Sequence, residues 1–182
     1  EVIMGNKSHT FIYESGGIST YGGIHSHQLK NNDDGTININ DIKDAIRIDD
    51  VHFPKTSLIC IENTHNKCYG FPLELSYINL VCDIAHENNI KVHMDGARMF
   101  NACVALDVDA KKILENVDSV TFCLSKGLSS PIGSVLCGTK DFIKEARRIR
   151  KSLGGGMRQT GVFASAGIVG LRSMRSRLNE DH

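Results

Sequence analysis

The sequence predicts an α/β fold, a mostly parallel sheet covered on both faces by helices. Three observations carry that reading. Short apolar runs of strand length recur at Leu58-Ile59-Cys60-Ile61, Ile90 to Met94 and Ser119 to Leu124. Helix-period segments lie between and after them, and strands alternating with helices of this length imply parallel crossovers. The chain has 182 residues, 41% of them hydrophobic, enough for one domain with a sizeable core.

The elements follow in order. Glu1 to Thr36 is rich in glycine and polar residues, with Gly16-Gly17 and Gly22-Gly23 as flexible punctuation. A short helix is expected with Asn40 as N-cap and Ile42, Ala45 and Ile46 on one face. The unbroken apolar run Leu58 to Ile61 suits a strand buried on both faces. Pro72 suits a helix start, and Leu73, Tyr77, Leu80, Val81 and Ile84 follow at helical spacing until Asn88-Asn89. The next strand ends at Asp95-Gly96, followed by helices expected over Ala97 to Leu106 and Asp109 to Asn116. Ser119 to Leu124 leads into Ser125-Lys126-Gly127, and Gly133 to Cys137 reads as a fourth strand. Thr139 is expected to cap a helix that carries Phe142, Ile143, Ala146 and Ile149 inward.

Composition narrows the functional classes. The 21 basic and 21 acidic side chains cancel, which argues against a surface built throughout for nucleic acid or acidic lipid. The zero hides an asymmetry, because Thr139 to Arg177 carries ten basic residues against two acidic ones. Few aromatics interleave there, so the stretch reads as a solvated helix face rather than a nucleic-acid surface. No run approaches the roughly 18 apolar residues of a membrane span. The six cysteines form no Cys-x-x-Cys pair, and Cys60, Cys123 and Cys137 sit in apolar runs as small hydrophobes. A reducing, cytoplasmic setting is expected. The opening Glu1-Val2-Ile3-Met4 reads as the middle of something longer.

In a parallel sheet, ligands bind beyond the carboxyl ends of the strands. Glu62 to Asn66, Asp95 to Arg98 and Ser125 to Gly127 are therefore the segments of interest. Asp95 and Lys126 each follow a buried strand. They are either a structural ion pair or a reactive pair, since a partly desolvated lysine amine loses its proton readily and condenses with an aldehyde. Other patterns carry less. His25-Ser26-His27 lacks acidic or cysteine partners nearby in sequence, so no metal is expected. Glu14 is either an orienting partner of His9 or a solvated carboxylate. Gly154-Gly155-Gly156 lacks the lysine and hydroxyl of a P-loop and reads as a flexible joint.

Five segments in order make the chain similar to a known family. They are His9-Thr10-Phe11-Ile12-Tyr13-Glu14-Ser15-Gly16-Gly17, Ile61-Glu62-Asn63-Thr64-His65-Asn66 and His93-Met94-Asp95-Gly96-Ala97-Arg98-Met99-Phe100-Asn101-Ala102, then Leu124-Ser125-Lys126-Gly127-Leu128 and Gly154-Gly155-Gly156-Met157-Arg158-Gln159. Together they resemble the threonine aldolases of the low-specificity and allo-threonine type, which are pyridoxal-phosphate enzymes of the aspartate-aminotransferase fold (fold type I). The resemblance implies the three-layer large domain of that fold, incomplete at both ends. It further implies that residues 1–182 lack an N-terminal phosphate-cradling segment and a C-terminal small domain.

The resemblance also implies roles. Lys126 would carry pyridoxal 5'-phosphate as a Schiff base, and Asp95 would pair with its pyridine nitrogen. His9 would stack on the ring and is a candidate for proton transfer. Arg98 would hold the substrate carboxylate, a task suited to guanidinium. His52 and His65 are rival candidates for the place beside the substrate hydroxyl, and an ordered water is a third candidate for the base. Arg158 would reach cofactor phosphate, from a neighbouring subunit. The implied reaction is retro-aldol cleavage of threonine, allo-threonine and related β-hydroxy-α-amino acids to glycine and an aldehyde, in a homodimer or homotetramer. Another lyase or an aminotransferase of the same fold, or an inert fragment of such an enzyme, are the competing readings.

Overall fold

A computed structural model describes residues 1–180. Along the chain these residues form β1 (Val2–Gly5), α1 (His9–Ile12), α2 (Gly17–Thr20), β2 (Ser26–Leu29), α3 (Ile39–Ala45) and β3 (Leu58–Glu62). There follow α4 (Leu75–Glu87), β4 (Lys91–Asp95), α5 (Met99–Ala105), α6 (Ala110–Ile113), β5 (Ser119–Cys123) and β6 (Ser134–Gly138). Helices α7 (Lys140–Ser152) and α8 (Gly161–Val169) follow, and further helical turns run through Gly170–Met174 and Arg175–Glu180. The strands form one six-stranded sheet in the order β2-β1-β3-β4-β5-β6. All neighbours are parallel except β5 and β6. The ten residues between β5 and β6 are fewer than the dozen or so a parallel crossover uses, so β6 returns antiparallel.

The mostly parallel sheet is as expected, and the buried runs of β3, β4 and β5 are its centre. Ile59, Val92 and Met94 are fully enclosed, and Val120 and Phe122 pack in the same cluster. Helix α4 covers that face with Ile78, Val81, Cys82, Ile84 and Ala85. Each fully buried aliphatic side chain of this kind contributes about 1.5–3 kcal/mol of transfer free energy. A smaller cluster of Val2, Met4 and Cys60 lies on the other face, with Ile18 of α2 against it.

Several local expectations are corrected. Asn38, not Asn40, is the N-cap of α3, because its side chain accepts the amide of Asn40 at 2.8 Å. Asn40 thus supplies the second helical N–H, which an N-cap side chain satisfies. Leu73 is buried but precedes α4, whose N-cap is Glu74. Leu80 falls off the inward stripe and is exposed. The first 36 residues hold more order than their glycines imply: Val2-Ile3-Met4 is an interior strand, and the polar Ser26–Leu29 is its edge neighbour.

Thr139 does cap α7, accepting the amide of Phe142. The helix, however, buries none of its residues: Phe142 is 42% exposed and Ile149 59%. Its apolar stripe is real and faces the edge strand β6, whose Leu136 lines the same groove as Phe142, Ala146 and Ile149, which leaves Phe142 and Ile149 open to solvent. Cys137 is likewise exposed on the edge strand β6, whereas Cys60 is buried. All six cysteines are free thiols. Helix α8, an unbroken run of small and apolar residues, carries no amphipathic period and has no counterpart in the sequence reading.

One glycine has a double constraint. Gly35 sits at φ +86°, and a Cβ there would lie 2.7 Å from Cβ of His65. Gly35→Ala is expected to lower stability by about 1–3 kcal/mol, seen as a reduced urea midpoint at unchanged m. Gly23, at φ +61° with open space around it, is the control. Equal losses at the two positions would refute the contact with His65.

Candidate active site

Because β1, β3, β4 and β5 run parallel, their carboxyl ends share one edge, and the chain leaves each strand there carrying a polar group. The register sets Glu62 beside Asp95 and Asp95 beside Thr121. Two carboxylates therefore occupy neighbouring strand ends. The backbone locks the edge as well: Asn63 N–H donates to Asp95 O at 2.8 Å and Gly96 N–H to Thr121 O at 2.7 Å.

Asp95 is half-buried, and one of its carboxylate oxygens accepts the amide of Ala97 at 3.2 Å. Its pKa is raised, first by burial and then by the negative charge of Glu62. The Ala97 amide, His9 and Lys126 act in the opposite sense. Asp95 thus lies within electrostatic reach of both His9 and Lys126.

His9 opens α1, four residues past Gly5 at the end of β1. Its Nε2 lies 2.8 Å from Glu14 Oε1, and its ring stands 4.9 Å from that of Tyr13. Glu14 is therefore a partner of His9 rather than an idle solvated group. Lys126 is exposed on the loop after β5. That loop closes on itself through Ser129 N–H to Lys126 O at 2.8 Å and Ser130 N–H to Leu124 O at 3.0 Å. Gly127 packs so closely against Leu178 and Asn101 that a Cβ would fall 2.8 Å from the former. The lysine backbone is fixed while its amine reaches solvent.

Arg98 donates to Asn66 Oδ1 at 3.3 Å, which joins the loop after β4 to the loop after β3. Glu62 lies in one of the five family-like segments, where the resemblance implies no role for it. The structure makes it a hub: it is 5% exposed, and its two oxygens accept the amides of His9 (2.7 Å) and Asn66 (2.9 Å). The signal for it is an acidic residue closing an otherwise apolar strand, and the register sets it directly beside Asp95. His93, two residues before Asp95, bonds Ser119 Oγ at 2.8 Å through Nδ1, and burial lowers its pKa.

Three other sequence candidates lie apart from this group. His65 is fully enclosed, and neither ring nitrogen has a hydrogen-bond partner. Its burial lowers its pKa, against the pull of Glu62. Enclosed in this way, it is not open to a ligand from solvent. His52 sits on an exposed turn, with its amide and Nδ1 both at Asp50 Oδ1, 2.8 and 2.7 Å away. Arg158 is exposed in the connection between α7 and α8. His25 and His27 do have an acidic neighbour in space, the buried Glu1 carboxylate at 3.6 and 3.7 Å. Arg47 already holds that carboxylate at 3.0 Å, and among the described residues no group of three or more ligating side chains is arranged for a metal. In the basic C-terminal stretch Arg175 spans Asp109 and the Phe100 ring, and Arg177 meets Glu180. No helix among the described residues is long and apolar enough to cross a membrane.

Comparison with known proteins gives a consistent result. The family described as beta-eliminating lyase matches residues 1–182. Low-specificity L-threonine aldolase 1 of Arabidopsis thaliana is 47% identical over 184 residues, covering 100% of this chain and 51% of the relative. The low specificity L-threonine aldolase of Escherichia coli strain K12 is 43% identical over 182 residues, covering 100% of this chain and 54% of the relative. The chain therefore spans about half the length of the curated relatives it matches. Among solved structures, Leishmania major threonine aldolase superposes with a TM-score of 0.83 at 22% identity, over 98% of this chain and 52% of that one. That likeness carries the fold.

The raised pKa of Asp95 has a consequence for stability. An acid that binds its proton more tightly when folded loses stability as pH rises from the ordinary carboxylate value through its folded value. Above that window the ionised, buried group works against folding. Asp95→Asn is therefore expected to raise the unfolding midpoint of the cofactor-free protein at pH 7 and to leave it nearly unchanged at pH 3. Calorimetry at the two pH values checks this, and a destabilised variant at pH 7 would contradict it.

Proposed function

This chain belongs to the beta-eliminating lyase family, and on that premise we propose that it forms the cofactor-binding part of a threonine aldolase. The reaction is carbon–carbon cleavage of threonine, allo-threonine and related β-hydroxy-α-amino acids to glycine and an aldehyde. The relatives named as threonine aldolases over the whole of this chain support the reading. The single observation that carries it is the gathering of an amine, a burial-perturbed acid and a carboxylate-held imidazole, Lys126, Asp95 and His9, at one sheet edge.

The donor set fits pyridoxal 5'-phosphate. Asp95 is a buried acid whose ionisation is opposed by burial and by Glu62, so a cationic ring nitrogen beside it would favour its charged form. Lys126 offers an exposed amine on a fixed backbone. When bound, the cofactor supplies an aldehyde that condenses with amines and a protonated ring that accepts an electron pair.

The remaining tasks belong to the chain. The Glu14 carboxylate at Nε2 selects the tautomer of His9 with its proton on that nitrogen, leaving the Nδ1 lone pair free. His9 Nδ1 is then the atom that takes a proton, and its ring is the flat surface for stacking. Arg98, held by Asn66, binds the substrate carboxylate through its guanidinium fork. His52, exposed and oriented by Asp50, is the better of the two remaining histidines for the substrate hydroxyl, because His65 is enclosed. Arg158 contributes positive charge toward phosphate. A homodimer or homotetramer completes the reading, supported by the uncovered apolar residues of α7 and α8. The free thiols support a cytoplasmic setting.

A second reading, elimination or transamination on the same scaffold, draws on the family's own description, and the product distinguishes it. The purified protein with cofactor is expected to release glycine and aldehyde from threonine or allo-threonine. Lys126→Ala should fall to background and lose the adduct that borohydride fixes to the lysine peptide. His9→Asn should slow turnover by about 10²–10⁴-fold. A keto acid product would favour the second reading, and equal rates for wild type and Lys126→Ala would overturn the mechanism.

A further inference from the structure

We propose that Glu62 is a positioning residue that clasps His9 and, through Asn66, Arg98 into one rigid unit. The inference rests on the proposed roles of those two side chains. The observation beneath it is independent of them: one buried carboxylate receives two backbone amides, one from the start of α1 and one from the loop after β3.

The chemistry of the clasp is specific. Glu62 ends β3, where the strand's own ladder fixes its Cα opposite Asp95. Its oxygens diverge, one toward His9 N–H at 2.7 Å and the other toward Asn66 N–H at 2.9 Å. Among the described residues it forms no ion pair with a lysine or arginine; the two amides are what holds it. Two amide donors need two acceptors, and only a carboxylate of this length presents acceptors on both oxygens. An amide in its place would turn an NH₂ toward one of the backbone N–H groups. Hydrogen bonds to an ionised acceptor are also the stronger kind, about twice a neutral pair.

Each arm ends on a group with a task. The first fixes the backbone of His9 while Glu14 fixes its ring at 2.8 Å, so the imidazole is held at both ends. The second fixes Asn66, whose side-chain oxygen receives Arg98 at 3.3 Å. Lengthening either arm displaces a reacting or binding group without touching it. Misplacement by about 1 Å is enough for losses near 10²-fold.

Glu62→Gln tests the clasp in two independent ways. In the cofactor-free protein, hydrogen exchange followed by NMR reads the amides of His9 and Asn66. At least one is expected to lose protection by about 10-fold or more while core amides of β4 keep theirs. In the loaded enzyme a double-mutant cycle reads the coupling. Glu62→Gln is expected to lower kcat by about 10–100-fold alone and by less than about 3-fold in a His9→Asn background, with KM raised through Arg98 in both. Fully multiplicative losses, or unchanged exchange at both amides, would overturn the proposal. Should Glu62→Gln fail to fold, Glu62→Asp, one methylene shorter, is expected to release one amide and keep the other. Protection lost at both or at neither would count against the clasp. Because the exchange measurement involves no turnover, altered amides in a protein without aldolase activity would refute the functional reading and leave the clasp standing.

Discussion

The parallel pairing of β3 with β4 is the constraint on which the rest depends. Leu58 to Glu62 lie against Lys91 to Asp95 position for position, and both strands are apolar along the side facing α4. A slip of one residue would turn Ile59 and Val92 outward and the acids inward, so burial enforces the register. That same register delivers Glu62 and Asp95 together at the carboxyl edge. The side chains that make the core thus decide where the chemistry stands, although none of them takes part in it.

Electrostatics at that edge divide the work. Asp95 is denied easy ionisation by burial and by Glu62, and is partly relieved by His9 and Lys126. Glu62 has its oxygens taken up by two amides. One acid is therefore available to an incoming cation and the other is committed to scaffolding. A sheet edge that carried a single acid would lack either the anchor or the acceptor. Two acids side by side on neighbouring strands, with different partners, supply both, at some expense to stability in the unliganded protein.

The strands of the sheet centre and the pair Asp95 and Lys126 were legible from the sequence because they rest on local signals: unbroken apolar runs followed by a charged residue. The two strands of the first 36 residues were not. Ser26–Leu29 is an edge strand with no apolar alternation, and Val2–Gly5 is too short to show a period. The position of a side chain relative to distant loops is also invisible to spacing. His65 and His52 read as equivalent in the sequence, yet one is sealed in the interior and the other stands on an open turn. Glu62 was visible as a residue but not as a hub, since its partners, His9 and Asn66, are 53 and 4 positions away.

Helix α7 shows the same limit from the side of packing. Its inward stripe of Phe142, Ile143, Ala146 and Ile149 is correct as a pattern, and its cap is where the sequence puts it. Periodicity reports that a face is apolar, however, and says nothing of what stands opposite. In α4 the neighbour is the sheet, and Ile78 and Val81 vanish from solvent. In α7 the neighbour is the edge strand β6, which leaves Phe142 and Ile149 exposed. Helix α8 extends the contrast: Val162 and Val169 lie open at 74% and 60%, in a helix with no polar face to turn outward. The carboxyl edge of the sheet has its Glu62 carboxylate partnered by the amides of His9 and Asn66, whereas the side bearing α7 and α8 leaves apolar side chains exposed. The two parts of the domain therefore differ in how far their apolar surface is covered.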